Sequence, residues 1–350
     1  MVIAITGLNA SDNPGPGVAV IRSLREEFGP TLTIIGLSYE SLEPGIYLDN
    51  VVDKTYQIPY PTAGTSALTE RLEYIHTIEG LDMIIPNFDS ELYNFIKIAP
   101  WLRSLGIKTF LPTHEQLSAR DKINLFDFGK KHGFKVPADH QLNNLNDLSK
   151  ATEELGYPLV VKGKYYEAYV NHTADAAQKS FHLLSAKWGL PVIAQQFIKG
   201  TEINIAGLGD GKGNTISVIP MRKLYITDKG KAWAGITIED DALIKLAQKF
   251  VKVTKWKGGF ELEIMRDADG ELYIMEINPR FPAWIYLTAG AGQNQPAALV
   301  RMAMDEDVEP FTEYTVGKMF IRYSWDHLAD IADFQQFSAF GELSVAKVNL

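Results

Sequence analysis

In the stretch LYIMEINPRF, residues 272–281, Glu276, Asn278 and Arg280 recur at every second position. Side chains of a strand alternate between its faces, so a carboxylate, a carboxamide and a guanidinium share one face while Ile274 and Met275 help anchor the strand. The preceding run GFELEIM, residues 259–265, places Glu261 and Glu263 on a common face by the same parity, and Asp267, Ala268, Asp269 and Gly270 read as the turn between the two strands. A merely solvated face would more naturally carry Lys, Thr and Ser. Carboxylate and amide oxygens are instead hard donors suited to magnesium, and a neighbouring arginine suits a phosphate oxygen. Strand parity leaves open whether Glu263 or Glu261 is the metal carboxylate of the first strand.

The elements that must position this hairpin fall into several groups. Over the first hundred or so residues, strand-like and helix-like runs alternate: VIAIT, GVAVIRSLREEF, TLTIIGL, ALTERLEYIHTI, DMIIP, ELYNFIKIAPWLRSL and IKTFL. Such alternation predicts a parallel sheet covered by helices, with ligands gathering beyond the carboxyl ends of its strands. Two loops lie there, GLNASDNPGPG at 7–17 and PNFDSEL at 86–92, which makes Asn9, Asp12 and Asp89 cleft-facing candidates. Asp89 serves equally well as a helix N-cap. The first loop is not GxGxxG, and GDGKG at 209–213 lacks the strand-to-helix setting of a P-loop, so neither common nucleotide fingerprint is present.

From Thr113 the pattern becomes α+β. Two short helices meet near Asp121 and Lys122, a strand follows around Val136, and a helix spans Leu145 to Leu155. YPLVVKG, residues 157–163, is an apolar strand closed by Lys162; a helix runs from Thr173 to Trp188, and PVIAQQFI forms the next strand. The rest is strand-rich, with one amphipathic helix at 239–255 that carries Leu243, Ala247, Phe250 and Val251 on one stripe. Arg222 and Lys223 add positive charge, most simply on an edge strand. After Arg280 come a short AWIYLTAGAG segment, a helix near 294–304 and a tail in which MFIRYSW is the one legible strand.

Composition narrows the function. The 350 residues carry 43 acids against 34 Lys and Arg, a formal charge of −9, which disfavours nucleic acid as a partner and requires any anion to bind in a local basic pocket. Zero cysteines exclude disulfides, thiolate catalysis and cysteine-bound metals, and the 7 histidines form no HExxH-type pair. No segment approaches membrane-spanning length, no signal peptide is legible at Met1, and a cytoplasmic location is expected.

RDK at 120–122, YPLVVKG at 157–163, QQFI at 195–198 before GTE, and GGFELEIM through YIMEINPR together resemble the ATP-grasp superfamily. The resemblance is nearest to the modules of carbamoyl phosphate synthase large chain and kindred carboxylate–amine ligases. It implies a fold that is α/β and α+β. A parallel pre-ATP-grasp α/β domain (1–112) would precede a core of two α+β subdomains: a small one with the lysine strand and lid loop (113–195) and a large one with the metal hairpin (196–310). A C-terminal extension (311–350) would follow, as a lid, a dimer contact or a strand completing the core. The cofactors implied are ATP and one or two Mg2+ ions, with Mn2+ as a substitute.

Residue by residue, the resemblance makes Glu263, Glu276 and Asn278 metal ligands, with Glu261 the fallback for Glu263. Arg280 becomes the catalytic group at the transferred phosphoryl. Lys122 and Lys162 would bind phosphates, Gln196, Phe197 and Ile198 would bracket the adenine, and Gln195 and Glu202 would contact the base or ribose. Asp121 more naturally caps or orients. One departure concerns the lid: glycine-rich in the family, it reads GKYYEAYVNHTAD here, with Tyr165, Tyr166 and Tyr169 in place of small residues and Lys164 or His172 left to compensate.

The chemistry implied is activation of a small carboxylic acid as an acyl phosphate and its capture by an amine. Bicarbonate is an alternative acid, although a single module lacks the partner domains of a complete carbamoyl phosphate synthase or biotin-dependent carboxylase. The rival reading is a nucleotide-binding regulatory or partner subunit without turnover. Expected partners are small-molecule acid and amine substrates, with no nucleic acid, no membrane, and a homodimer on family precedent.

Overall fold

The computed structural model describes every residue except 12, 165, 166, 228, 229 and 345–350. The chain divides into two compact units: Met1–Gln116, Asn204–Glu261 and Asn278–Leu350 form the first, and Leu117–Ile203 with Leu262–Ile277 form the second.

The first unit opens with β1 (Val2–Ile5), α1 (Gly17–Phe28), β2 (Thr33–Ser38), β3 (Lys54–Gln57), α2 (Gly64–Glu79), β4 (Met83–Ile85) and α3 (Asp89–Ser104). β1 pairs in parallel with β2 and β4, and β2 with β3. The alternation of β1 explains the two layers of helices. Ile3 and Ile5 join a core with Val20, Ile21 and Leu24 of α1, while Ala4 joins Leu68, Leu72, Ile75 and Phe95 of α2 and α3 on the opposite face. The run IKTFL, expected as a further strand, contributes only an isolated bridge from Lys108 to Met83.

Within the second unit lie the second half of α4 (His114–Ala119), then α5 (Leu125–His132), β5 (Asp139–Leu142), α6 (Leu145–Leu155), β6 (Leu159–Lys162), β7 (Ala168–Asn171), α7 (Ala174–Trp188) and β8 (Val192–Gln196). The strands form an antiparallel sheet in the order β5-β8-β6-β7. Leu159, Val161, Val192 and Ala194 face α6 and α7, packing on Leu148, Ala151, Ala177, Phe181 and Leu184. Residues of the other parity, Lys162 and Gln195 among them, therefore occupy the face without helices. The strand expected near Val136 is a single bridge at Lys135, and the loop expected to be a lid contains β7. Tyr165 and Tyr166, expected in that lid, lie outside the described residues, as does Asp12.

The remaining elements are β9 (Gly200–Asp210), β10 (Thr215–Ile226), β11 (Ala232–Thr237), α8 (Asp241–Thr254), β12 (Lys257–Asp267), β13 (Leu272–Asn278), α9 (Tyr286–Gly290), α10 (Gln295–Ala303), β14 (Met319–Ile321), α11 (Ile331–Phe340) and β15 (Glu342–Ser344). A sheet runs β13-β12-β9-β10-β11-β14, and the unit boundary falls within β9, β12 and β13. The turn of the β12–β13 hairpin is held by Asp267, whose Oδ1 accepts from Asp269 N–H (3.0 Å) and Glu271 N–H (2.8 Å). Gly270 takes φ +85° there, a conformation that favours glycine.

The tail is more ordered than its sequence suggests. β15 pairs antiparallel with β3, placing Leu343 beside Thr55, and Phe337 of α11 is fully buried. It therefore covers an edge of the parallel sheet.

Candidate functional site

In the second unit, β6 ends on Lys162 because YPLVV supplies an apolar strand whose last residue lies on the helix-free face. Lys162 is 7% exposed and donates to Gln195 Oε1 at 2.9 Å. Asp139 is paired across the ladder with Gln195, so it shares that face. Burial pulls the Lys162 ammonium down to about 8, Lys122 pushes in the same direction, and Glu276 and Asp139 oppose them. Burial raises the Asp139 carboxyl to about 6 against the pull of Lys162 and His140. Lys122 lies between α4 and α5, with its Nζ 3.8 Å from Glu276 Oε1. Two cations and two carboxylates thus belong to one electrostatic group.

Gln196 is committed to the scaffold: its N–H donates to Ala138 O (2.8 Å) and its Oε1 accepts from Ala138 N–H (3.3 Å). Phe197 and Ile198 lie between β8 and β9, Ile198 buried and Phe197 half-buried; Glu202 is half-buried on β9. Glu263 and Glu276 are half-buried on β12 and β13.

In the first unit the hub is Glu261, 6% exposed. Its Oε1 accepts from Asn204 Nδ2 (2.7 Å) and Trp284 Nε1 (2.8 Å), and its Oε2 accepts from Asn278 Nδ2 (3.1 Å). Arg280 approaches Glu261 Oε2 at 3.6 Å and Asp89 Oδ2 at 3.3 Å, while its Nη1 donates to Phe281 O at 3.1 Å. The two glutamates of β12, equivalent by parity, therefore differ in environment. Glu261 is filled by protein donors; Glu263, two residues on, is more accessible.

Asp89 does not cap α3 with its side chain. The cap contact comes from the fully buried Glu91, which accepts from Phe88 N–H (2.9 Å) and Asn87 N–H (2.7 Å) and also from the hydroxyls of Thr6 and Tyr39. That network fixes the start of α3 and leaves Asp89 to meet Arg280. Sequence reasoning missed this pairing, and it missed Asp139 and Trp284 altogether. A contact between residues 89 and 280 has no local signature, and the polar run DHQL gave no clear period.

The carboxylates of Glu263 and Glu276, both in the second unit, are hard oxygen donors of the kind that suits a magnesium ion keeping several waters or phosphate oxygens, and the side-chain oxygen of Asn278 is of the same type. Among the described residues, no three His, Cys, Asp or Glu side chains gather as a metal cage. A set of two carboxylates and an amide does not depend on one.

Residues 190–322 match the family described as "ATP-grasp in the biosynthetic pathway with Ter operon". The chain is 26% identical over 174 residues to D-alanine--D-alanine ligase of Bordetella petrii, covering 45% of this chain and 53% of that protein. It is 22% identical over 293 residues to the carbamoyl phosphate synthase large chain of Agathobacter rectalis, covering 77% of this chain and 25% of the synthase. The chain thus spans about half the length of the first relative and a quarter of the second. Its fold resembles the biotin carboxylase of Campylobacter jejuni, crystallised as a β-γ-ATP complex, at a TM-score of 0.70 and 17% identity, covering 91% of this chain and 74% of that one.

Proposed function

With an ATP-grasp fold as the premise, we propose that this protein is a magnesium-dependent, ADP-forming ligase that joins a small carboxylic acid to an amine. The observation that carries this reading is the convergence of the buried Lys162, Lys122 and Glu276 on the helix-free side of the second unit's sheet. A buried ammonium beside a second ammonium is unfavourable by itself, and a nucleotide polyphosphate is the kind of ligand that relieves it.

A carboxylate is a poor electrophile. Attack of its oxygen on the γ-phosphorus of ATP releases ADP and yields an acyl phosphate; the amine nitrogen then attacks the acyl carbon, the C–O bond to phosphate breaks and the nitrogen loses a proton. Such transfers depend on positioning and on neutralising charge. Magnesium, when bound, supplies Lewis-acid neutralisation of phosphate oxygens. Glu263, Glu276 and Asn278 would hold it. In this scheme Lys122 and Lys162 bind the phosphates, and Arg280, kept in place by Asp89 and Glu261, meets the transferred phosphoryl group. Phe197 and Ile198 flank the base, with Gln195 and Glu202 at its polar edge, and Gln196 holds the hinge to Ala138. Glu263 is preferred to Glu261 because it is half-buried, whereas Glu261 is buried and accepts from Asn204, Asn278 and Trp284.

The test is magnesium-dependent release of ADP and phosphate in pools of amino acids and small carboxylic acids, with hydroxylamine present to trap acyl phosphate. Pool-dependent release with hydroxamate formation is expected. ATP binding with no ADP release in any pool would turn the reading toward a nucleotide-binding subunit, and absence of ATP binding would overturn both.

A further inference from the structure

A partly enclosed pocket of about 20 Å³ lies beside Arg280, wholly within the first unit. Local sequence explains its walls. Ile85 closes β4 and Pro86 follows it, at the carboxyl end of the parallel sheet, where ligands of such sheets gather. Leu92 comes one helical turn after Asp89 on α3, so the carboxylate that meets Arg280 and one wall of the pocket share a side of that helix. Leu111, Phe281 and Leu299 of α10 add further walls. Phe281 lies close against β12 because residue 259 is glycine: a Cβ there would stand 2.5 Å from the ring.

Ile85, Leu92, Phe281 and Leu299 are buried, and Arg280 is the only charged residue in the lining. A guanidinium set in an apolar wall matches a molecule with a carboxylate or acyl phosphate at one end and hydrocarbon at the other. Size decides how much hydrocarbon. One water-sized sphere occupies about 10–15 Å³ on the same measure, so the pocket has room for about a methyl or an ethyl group. A charged substituent would lose its water there against hydrocarbon walls.

We propose that this pocket selects the acid: a carboxylic acid whose α-carbon carries one small apolar substituent, which enters the pocket while the carboxyl group faces Arg280. The inference rests on the ligase reading and gives its acid a class. Acids without the substituent leave the pocket empty, and branched or charged ones do not fit it.

The full-length protein with ATP, magnesium and hydroxylamine is given glycine, alanine, α-aminobutyrate, leucine or aspartate, chiral acids in both enantiomers. Their counterparts without the amino group, acetate, propionate, butyrate, isocaproate and succinate, are run beside them. Hydroxamate formation is expected to have its highest kcat/KM for a methyl- or ethyl-bearing acid, about tenfold or more above glycine or acetate. Leu111, half-buried in the wall, is the residue to vary. Leu111→Ala should move the preference toward leucine or isocaproate, and Leu111→Phe toward glycine or acetate, with circular dichroism checking the fold. Hydroxamate formed equally from all acids, or fastest from aspartate or succinate, overturns the proposal and leaves the ligase reading standing. So does a Leu111→Ala loss by the same factor for every acid, the result of a purely structural role. No hydroxamate from any acid overturns the proposal together with the ligase reading.

Discussion

At the scale of single residues, the site depends on charges whose surroundings are unequal. Arg280→Ala and Glu276→Gln should each lower turnover by about two to three orders of magnitude, the loss expected when one preorganised charge is removed from a transferring phosphoryl group. Circular dichroism should show the fold retained. Asp89→Asn should lower kcat about tenfold (~1.4 kcal/mol) with nucleotide affinity unchanged, because Asp89 meets the Arg280 guanidinium. An equal loss in ATP affinity would assign Asp89 a different role.

Lys162 adds a pH dependence whose sign is fixed. Its ammonium is held near 8 in the folded protein against 10.5 for an ordinary lysine, so between those values the unfolded chain binds more protons. Stability should therefore rise with pH above about 8, and the penalty of burying the charge is complete below it. Lys162→Met should remove that slope in denaturant unfolding followed from neutral to alkaline pH. A polyanion favours the charged form, so ATP binding above that pH should take up a proton, measurable as a buffer-dependent heat.

At the scale of elements, β12 separates two glutamates that its own sequence makes equivalent. Glu261→Gln puts an amide donor among the N–H groups of Asn204, Trp284 and Asn278 and should cost about 1–3 kcal/mol of stability. Glu263→Gln, at a half-buried position, should cost less stability than Glu261→Gln and raise the magnesium concentration needed for turnover. The same midpoint loss in both variants would remove the distinction. In the tail, Phe337→Ala should cost about 3–5 kcal/mol, since this fully buried ring helps α11 seal the sheet edge beside β3.

At the scale of the whole molecule, the chain enters and leaves the second unit twice: residues 117–203 form most of it and the tip of the hairpin, 262–277, completes it. Ile274 N–H donates to Lys135 O at 2.9 Å, and Lys135 Nζ lies 2.8 Å from Glu271. A fragment of residues 117–203 alone should thus unfold at lower denaturant than the same fragment joined to the hairpin. Equal midpoints would mean that the hairpin adds nothing to that unit.

The sequence by itself determined what is periodic or local. Period-two alternation disclosed the polar face of Glu276, Asn278 and Arg280; apolar runs closed by turns located β1, β2, β4, β6 and β8; and the stripe of Leu243, Ala247, Phe250 and Val251 announced α8. Each rests on contacts within a few residues, or on a face that must be buried whatever covers it. Tertiary structure decided what joins distant positions. Strand parity treats Glu261 and Glu263 alike, whereas the fold surrounds Glu261 with Asn204 and Trp284, and Asp89 became the partner of Arg280 only when the start of α3 was fixed by Glu91. The tail showed no strong pattern because β15 is stabilised by an edge more than 280 residues earlier in the chain, paired Leu343 to Thr55. Side-chain period records which face is buried, and it carries no record of which residue will bury it.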